Sequence, residues 1–434
     1  MRQRLSDKVS GHMVGVWLLV AEHLRLGTWD LLRSWSQASG ERAEPRLAMQ
    51  LVHEAAICTT GVRSDRTLTN RGGFELANGL PFVASDTAIH DLLASHTVEN
   101  AIGLQVMLGK IRRAKGDYCG KVLAIDPHRM RSYSKRNMRM HAKKASEKPI
   151  KMAQPFWLLD ADTHQPVCFT TATSSRTVPQ VSPEILDLAE QILPPPQPSR
   201  LLLADTEYFS AELLDDVARR KGFEIIVPMP NTKALRTELQ AISPHAFTPR
   251  WAGYATGKQP FEFKKRSQQH PYYQYIQRNG ERPEQFSFKA YLSTTDADEV
   301  HALTHEYPKR WHIEEFFNAN QELGWKRAGT MNLNIRYGQM TMALVAQAAI
   351  HQLRTRIGEP ISSWDANHLA KDLFLALDGD VRVHHDTIIV TYYNAPNAQL
   401  LRSHYEKLPE KLQREHIDPR IPWLYNFKLD FRFR

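Results

Sequence analysis

"RLLLADTEYFSAELLDDVARRKGFEIIVPMP" runs from Arg200 to Pro230. The apolar run Leu201–Ala204 reads as a buried strand that ends in Asp205. "SAELLDDVARRKG" reads as a helix, and "FEIIVPMP" as a second strand closed by prolines. Working upstream, "SPEILDLAEQIL" is expected to be a helix with Ser182 as its N-cap and Pro183 at its first position. Ile185, Leu188, Ala189 and Ile192 fall on one face of it, and the run Pro194–Pro198 must end it. Before that, "AQPFWLLDA" and "QPVCFTTAT" flank the polar turn "DTH" and suggest a hairpin. "KVLAID" is a further short strand, ending in Asp126. The order β-β-β-α-β-α-β places this part of the chain in an α/β or α+β sheet domain.

The remaining chain divides by texture. Residues 1–115 read mostly as helix. A helix starting at "DTAIHDLLA" with Ser85 as cap is followed, after "SHT", by "VENAIGLQVMLGKIRRAKG". Such a pair is compatible with a helix-turn-helix and with ordinary bundle packing, so the N-terminal region is expected to be helical, with DNA contact as one role. From 233 to 299, "RWAGYATG", "FEFKKR", "YYQYIQRNG" and "QFSFKAYLSTT" look like short strands with glycine turns, a β-rich insertion in a sheet core of 116–232 and 300–356. Met342, Val345, Ala346, Ala349, Ile350 and Leu353 form a core stripe at helical spacing. Residues 357–434 form a C-terminal region with a hairpin at "VRVHHDTIIVTYYN". The expected class is α+β and multidomain.

Composition narrows the partners. The 434 residues are 42% hydrophobic and carry a net charge of +9, which favours a polyanionic partner. The longest apolar run, Met13–Ala21, is too short to span a bilayer and lacks signal-peptide flanks. Cys58, Cys119 and Cys168 include no C-x-x-C, so the expectation is a reducing cytoplasm without a disulfide framework.

The chemistry is expected at three carboxylates. Asp126 and Asp205 each end an apolar strand, where functional groups gather in open sheets; alone, each could simply cap a turn. The third lies in "YPKRWHIEEFFNANQELGWKR", Tyr307–Arg327. On one unbroken helix at about 100° per residue with Arg310 at zero, Glu314 comes near roughly 40°, Tyr307 near 60°, Phe317 near 340° and Gln321 near 20°. Glu315 comes near roughly 140°, on a different side. Glu314 is therefore the aligned carboxylate, although an i,i+4 salt bridge with Arg310 would by itself explain the pairing. Three carboxylates around one pocket suit Mg²⁺, and two such ions serve an in-line phosphoryl displacement. Arg310 and Tyr307 would then hold a phosphate backbone.

These residues resemble the insertion-sequence transposases of the DDE class, in particular the group with the Y-R-E-K signature. Here the signature reads Tyr307, Arg310, Glu314 and then Gln321. "RWHIEEFF" is similar to that group's Arg-Trp-x-Ile-Glu-x-x-Phe segment. "LLLADTEYFS" is similar to the segment around its second aspartate, with Tyr208 and Ser210 in their usual places, and "VLAIDPHRMRSYSKR" to the first. Asp126, Asp205 and Glu314 stand 79 and 109 residues apart, and the longer second spacing accommodates the β-rich insertion. The resemblance covers about residues 120–350. It implies a ribonuclease-H-like catalytic core with Asp126, Asp205 and Glu314 as catalytic residues that ligate two Mg²⁺ ions, Mn²⁺ being able to substitute. It also implies a dimer on double-stranded DNA that binds terminal inverted repeats, cleaves at element ends and transfers the 3′-OH strands to target DNA in the bacterial cytoplasm. In many members a DNA hairpin forms at the element end, helped by an aromatic residue, here Trp251 or Trp311. Gln321 departs from the family's lysine; Lys326, near roughly 160° on an unbroken helix, cannot replace it.

Around Asp126, Arg129, Arg131, Lys135, Arg136, Arg139, Lys143, Lys144, Lys148 and Lys151, with Tyr133 among them, read as a phosphate-binding segment. His128 either reaches the scissile phosphate or fixes the strand end. The His384–His385 pair with Asp386 is discounted as a metal site, since neighbours on a strand point to opposite faces. Asp160 and Asp162 are expected to stabilise their turn. Two other readings stay open: a ribonuclease-H-like nuclease that does not join strands, and a transposase-derived DNA-binding protein without catalysis.

Overall fold

The structure is a computed structural model that describes residues 7–38, 44–59, 68, 73–132, 140–141, 148–173, 176–194, 199–263, 270–328, 330 and 332–434. At its centre is a mixed sheet whose heart is five strands. Val122–Pro127 lies between Ile150–Asp160, antiparallel, and Arg200–Leu203, parallel. Gln165–Thr173 pairs antiparallel with the far edge of Ile150–Asp160, and Phe223–Pro228 pairs parallel with Arg200–Leu203. Helices cover both faces, which is why these strands read as apolar runs without alternation.

Strand period two sorts the central residues. Leu123, Ile125, Leu202 and Ala204 point to one face, where they pack with Ile185, Leu186 and Ala189 of the Val178–Ile192 helix. Val122, Ala124 and Leu203 point to the other, into the core shared with Ile313, Phe316 and Phe317 and with the long Leu333–Ile357 helix. The expected stripe on that long helix, from Met342 to Leu353, is buried throughout. The Gly120 backbone lies so close to the Asp160 carboxylate that a Cβ there would meet it at 2.1 Å. Asp160 accepts hydrogen bonds from the Gly120, Asp162 and Thr163 amides, and Asp162 from those of Lys121 and Val122. Both aspartates thus tie down the turn, and Asp162 also anchors the start of the Asp126 strand.

Several expectations are corrected. The helix expected to start at Ser182 begins a turn earlier, at Val178, because Thr177 and Gln180 form a capping box. Pro183 therefore lies inside it, and the Ser182 hydroxyl bonds back to the Val178 carbonyl. The helix ends at Ile192 ahead of the prolines, of which 195–198 lie outside the described residues. The β-rich segment opens with a helix, Lys233–Gln240. Its strands Thr248–Trp251, Tyr254–Phe261, Tyr272–Asn279 and Ser287–Ser293 form a meander that extends the central sheet, since Ser287–Ser293 pairs with Phe223–Pro228. "FEFKKR" is not a strand of its own: Phe261 ends the preceding one, and 264–269 lie outside the described residues.

The N-terminal region is helical, and its helices pack on Leu333–Ile357. Gly379–His384 and Thr387–Tyr392 form the expected C-terminal hairpin, in a second sheet with Val9–Gly11 and Phe427–Phe433. Among the described residues no helix is long and apolar enough to cross a membrane. Cys58, Cys119 and Cys168 are free thiols. The expected mixed-sheet core with a helical N-terminal region is present.

Candidate active site

Asp126 occupies the penultimate position of its strand, opposite Trp157. Alternation puts it on the face of Val122 and Ala124. Asp205 follows Leu203 by two residues in extended conformation (φ −84°, ψ 169°), so it continues that same face on the adjacent parallel strand. The helix carrying Glu314, His312–Asn320, packs on this face through Ile313, Phe316 and Phe317. Its seat is aromatic. Trp157 lies 5.8 Å from Phe316 and 4.6 Å from Trp325 between ring centroids, and Phe316 lies 5.6 Å from Trp325. Sheet pleat and an aromatic floor thus bring three carboxylates from distant sequence to one rim.

Their electrostatics show the proximity. Burial pushes the Asp126 carboxyl up to about 7; Arg310 opposes this, while the charges of Asp205, Glu314 and Glu207 add to it. Arg310 Nη2 donates to Glu314 Oε1 at 2.9 Å. Burial disfavours the Arg310 charge, yet the bond to Glu314 and the fields of Tyr307, Asp126 and Asp205 hold its pKa above the ordinary value. The Tyr307 hydroxyl donates to the Ala204 carbonyl at 3.2 Å, next to Asp205, and its ring meets Tyr291 edge-on. Beneath the site, the Tyr208 hydroxyl is buried and makes no hydrogen bond among the described residues; its pKa is raised by burial and then by Asp126 and Glu207.

The helical wheel is corrected in detail. Tyr307–Gln321 is not one α-helix. A π-turn spans Ala302–Glu306, a 3-10 segment Tyr307–Trp311, an α-helix His312–Asn320 and a 3-10 turn Gln321–Leu323. Tyr307 and Arg310 still align, because i and i+3 eclipse in a 3-10 helix. Gln321 lies beyond the α-helical phase that placed it with Glu314. Glu315 is exposed, apart from Glu314. Lys326 is ion-paired with Glu322.

Of the basic segment, Arg129 is ion-paired with Glu207 and Arg131 lies exposed on Met130–Ser132. Lys135, Arg136, Arg139, Lys143 and Lys144 lie outside the described residues. Glu207, two positions after Asp205, is a further acid acting on Asp126 that sequence patterns do not mark. His128 fixes the strand end, its Nε2 at 3.0 Å from the Trp325 carbonyl and its ring at 4.3 Å from Phe317. Trp311 and Trp251 are both exposed, at 55% and 53%; Trp251 stacks on Tyr254.

The transposase DDE domain family model matches residues 117–347, more than half of the chain. The chain belongs to this family. DDE transposase domains depend on divalent metal, and the family is one of metal-dependent DNA transposition enzymes. A piggyBac transposase, solved as a synaptic complex with hairpin DNA, is 12% identical over 85% of this chain and 82% of its own, with a TM-score of 0.46. That likeness is too weak to assign anything further. No curated protein matches the sequence.

The residues present fit the metal this transposase family requires. The donors are all carboxylate oxygens, the hard ligands Mg²⁺ prefers, and their mutual repulsion at Asp126 is what a divalent cation relieves. Among the described residues, the one His/Cys/Asp/Glu group whose ligand atoms all lie within 4.8 Å of one another is a different one, His301, His305 and Glu306.

Proposed function

We propose that this chain is an insertion-sequence transposase that binds terminal inverted repeats, cleaves at the element ends and joins the freed 3′-OH strands to target DNA. The observation that carries this reading is the convergence of Asp126, Asp205 and Glu314 on one sheet face within the region matched to the DDE family. The three would hold two Mg²⁺ ions, with Asp126 and Asp205 on neighbouring strands and Glu314 completing the set from its helix. When bound, such ions supply the charge that activates a nucleophile and steadies the leaving oxygen.

The chain's own groups do the positioning. Arg310, held by Glu314, presents a guanidinium for charge-assisted bonds to a phosphate. Tyr307, fixed on the Ala204 carbonyl, lines the approach to Asp205. Arg129, Arg131 and the basic residues after them, with Gln321, would track the DNA backbone without reading bases. Exposed Trp251 and Trp311 both offer a ring for stacking on an unpaired base at the element end. In this reading residues 116–232 and 300–356 form the catalytic core, 233–299 the insertion, and 1–115 and 357–434 flank it, with a dimer assembling on DNA.

The test locates inverted repeats in the DNA flanking the gene and supplies them as double-stranded ends, both intact and pre-cleaved to expose 3′-OH groups, together with a plasmid target. Joined products that require Mg²⁺ or Mn²⁺ support the transposase. Cleavage of intact ends without any joining would instead mark a nuclease.

A further inference from the structure

One turn before Tyr307 comes the sequence His301-x-x-x-His305-Glu306, with both histidines exposed and Glu306 half-buried. On an α-helix His301 and His305 would share a face, while Glu306 would lie about 140° round from His301. The chain instead makes a π-turn over Ala302–Glu306, whose wider turn brings Glu306 round toward His301. The result is a group of three ligands. Glu306 Oε1 lies 3.7 Å from His301 Nδ1 and 3.4 Å from His305 Nδ1, and the two imidazoles stack at 4.7 Å. Tetrahedral zinc with bonds near 2.05 Å sets its ligand atoms about 3.3 Å apart, close to both spacings.

The other carboxylate oxygen is already engaged. Glu306 Oε2 accepts from Lys309 Nζ at 2.9 Å, and Lys309 also bonds Asp162 Oδ1 at 2.9 Å. Oε1, which faces the two imidazoles, can therefore ligate without breaking the Lys309 bridge, and that bridge orients it as a hydrogen bond to a ligating carboxylate does. We propose that His301, His305 and Glu306 bind a divalent transition ion of the zinc type, with the fourth position open to solvent. Two imidazoles and one carboxylate select such an ion over Mg²⁺, which prefers an all-oxygen shell. The site is separate from Asp126, Asp205 and Glu314 and does not depend on their role.

The experiment titrates chelator-stripped full-length protein with ZnCl₂ by calorimetry in excess Mg²⁺, with Co²⁺ absorption as a second probe of ligand geometry. The expected result is one zinc per chain and tetrahedral Co²⁺ bands. His301→Ala, His305→Ala and Glu306→Gln should each weaken binding by at least the roughly tenfold that loss of even a supporting partner costs. His384→Ala, at the hairpin pair, should leave it unchanged. His301 and His305 are exposed and Glu306 is half-buried; Glu306→Gln keeps the side-chain size, and a thermal melt of each variant checks that it folds. Zinc binding that is absent, that is unaltered in the three variants, or that is lost in Asp126→Asn instead, would overturn the proposal.

Discussion

Arg310 and Glu314 form a 2.9 Å ion pair at the rim where Asp126 and Asp205 emerge from the sheet. At an open helix surface such an i,i+4 pair contributes only tenths of a kcal/mol. Here the arginine also lies in the fields of Asp126 and Asp205, so it serves the whole cluster as a counter-charge. Arg310→Ala should therefore raise the Asp126 pKa further above about 7, read by carboxyl NMR on metal-free protein. It should also weaken DNA binding and reduce the salt slope by about one. An unchanged Asp126 titration would contradict this role.

Asp126 should penalise the metal-free fold above neutral pH. Its folded pKa of about 7 lies above the ordinary 3.8. The folded state thus binds the proton more tightly, and the stability this contributes, complete below about pH 4, is lost as pH rises through 7. Asp126→Asn should raise the unfolding free energy at pH 8 in EDTA by on the order of 1–3 kcal/mol. Adding Mg²⁺ should stabilise the native protein and leave the variant nearly unmoved. Denaturant unfolding with and without Mg²⁺ measures both effects.

His53 should do the reverse in the N-terminal helices. Burial lowers its pKa to about 4 from 6.5, against the bond to Asn78. The unfolded chain binds the proton first, so this contribution is complete above 6.5 and is lost as pH falls toward 4. It amounts to up to about 3 kcal/mol. His53→Gln should flatten the dependence of the urea midpoint on pH over that window, and comparison with the native protein separates it from Asp126.

The aromatic floor should matter to the site as well as to stability. Trp325 is fully buried and touches Trp157 and Phe316, and its carbonyl faces His128 Nε2. Trp325→Ala should cost about 3–5 kcal/mol. In surviving protein the Glu314 helix should exchange amide hydrogens faster, while the C-terminal sheet keeps its protection.

Much of the site was legible because the relevant signals are local. Apolar runs ending in Asp126 and Asp205 announce strand ends, and the Arg310–Glu314 contact forms despite the change of pitch between them. What failed was non-local or competed locally. Ser182 looked like a cap, but Thr177 with Gln180 made a better one. The wheel over Tyr307–Gln321 assumed one helix, whereas the chain changes pitch at Tyr307, His312 and Gln321. No pattern within Ser287–Ser293 says that it pairs with Phe223–Pro228. Likewise nothing in "VSG" at Val9–Gly11 reveals its partner near residue 380. Glu207 was missed because a neighbour's pKa is set by distance in space.

The most direct test separates the two neighbouring glutamates. DNA cleavage at the element ends is measured with Mg²⁺ for Glu314→Gln and Glu315→Gln side by side. Glu314→Gln should lose at least about a hundredfold in rate, and Glu315→Gln, which removes an exposed charge, should cleave at a near-native rate. Equal activity of the two variants, or loss at Glu315 alone, would contradict the role of Glu314.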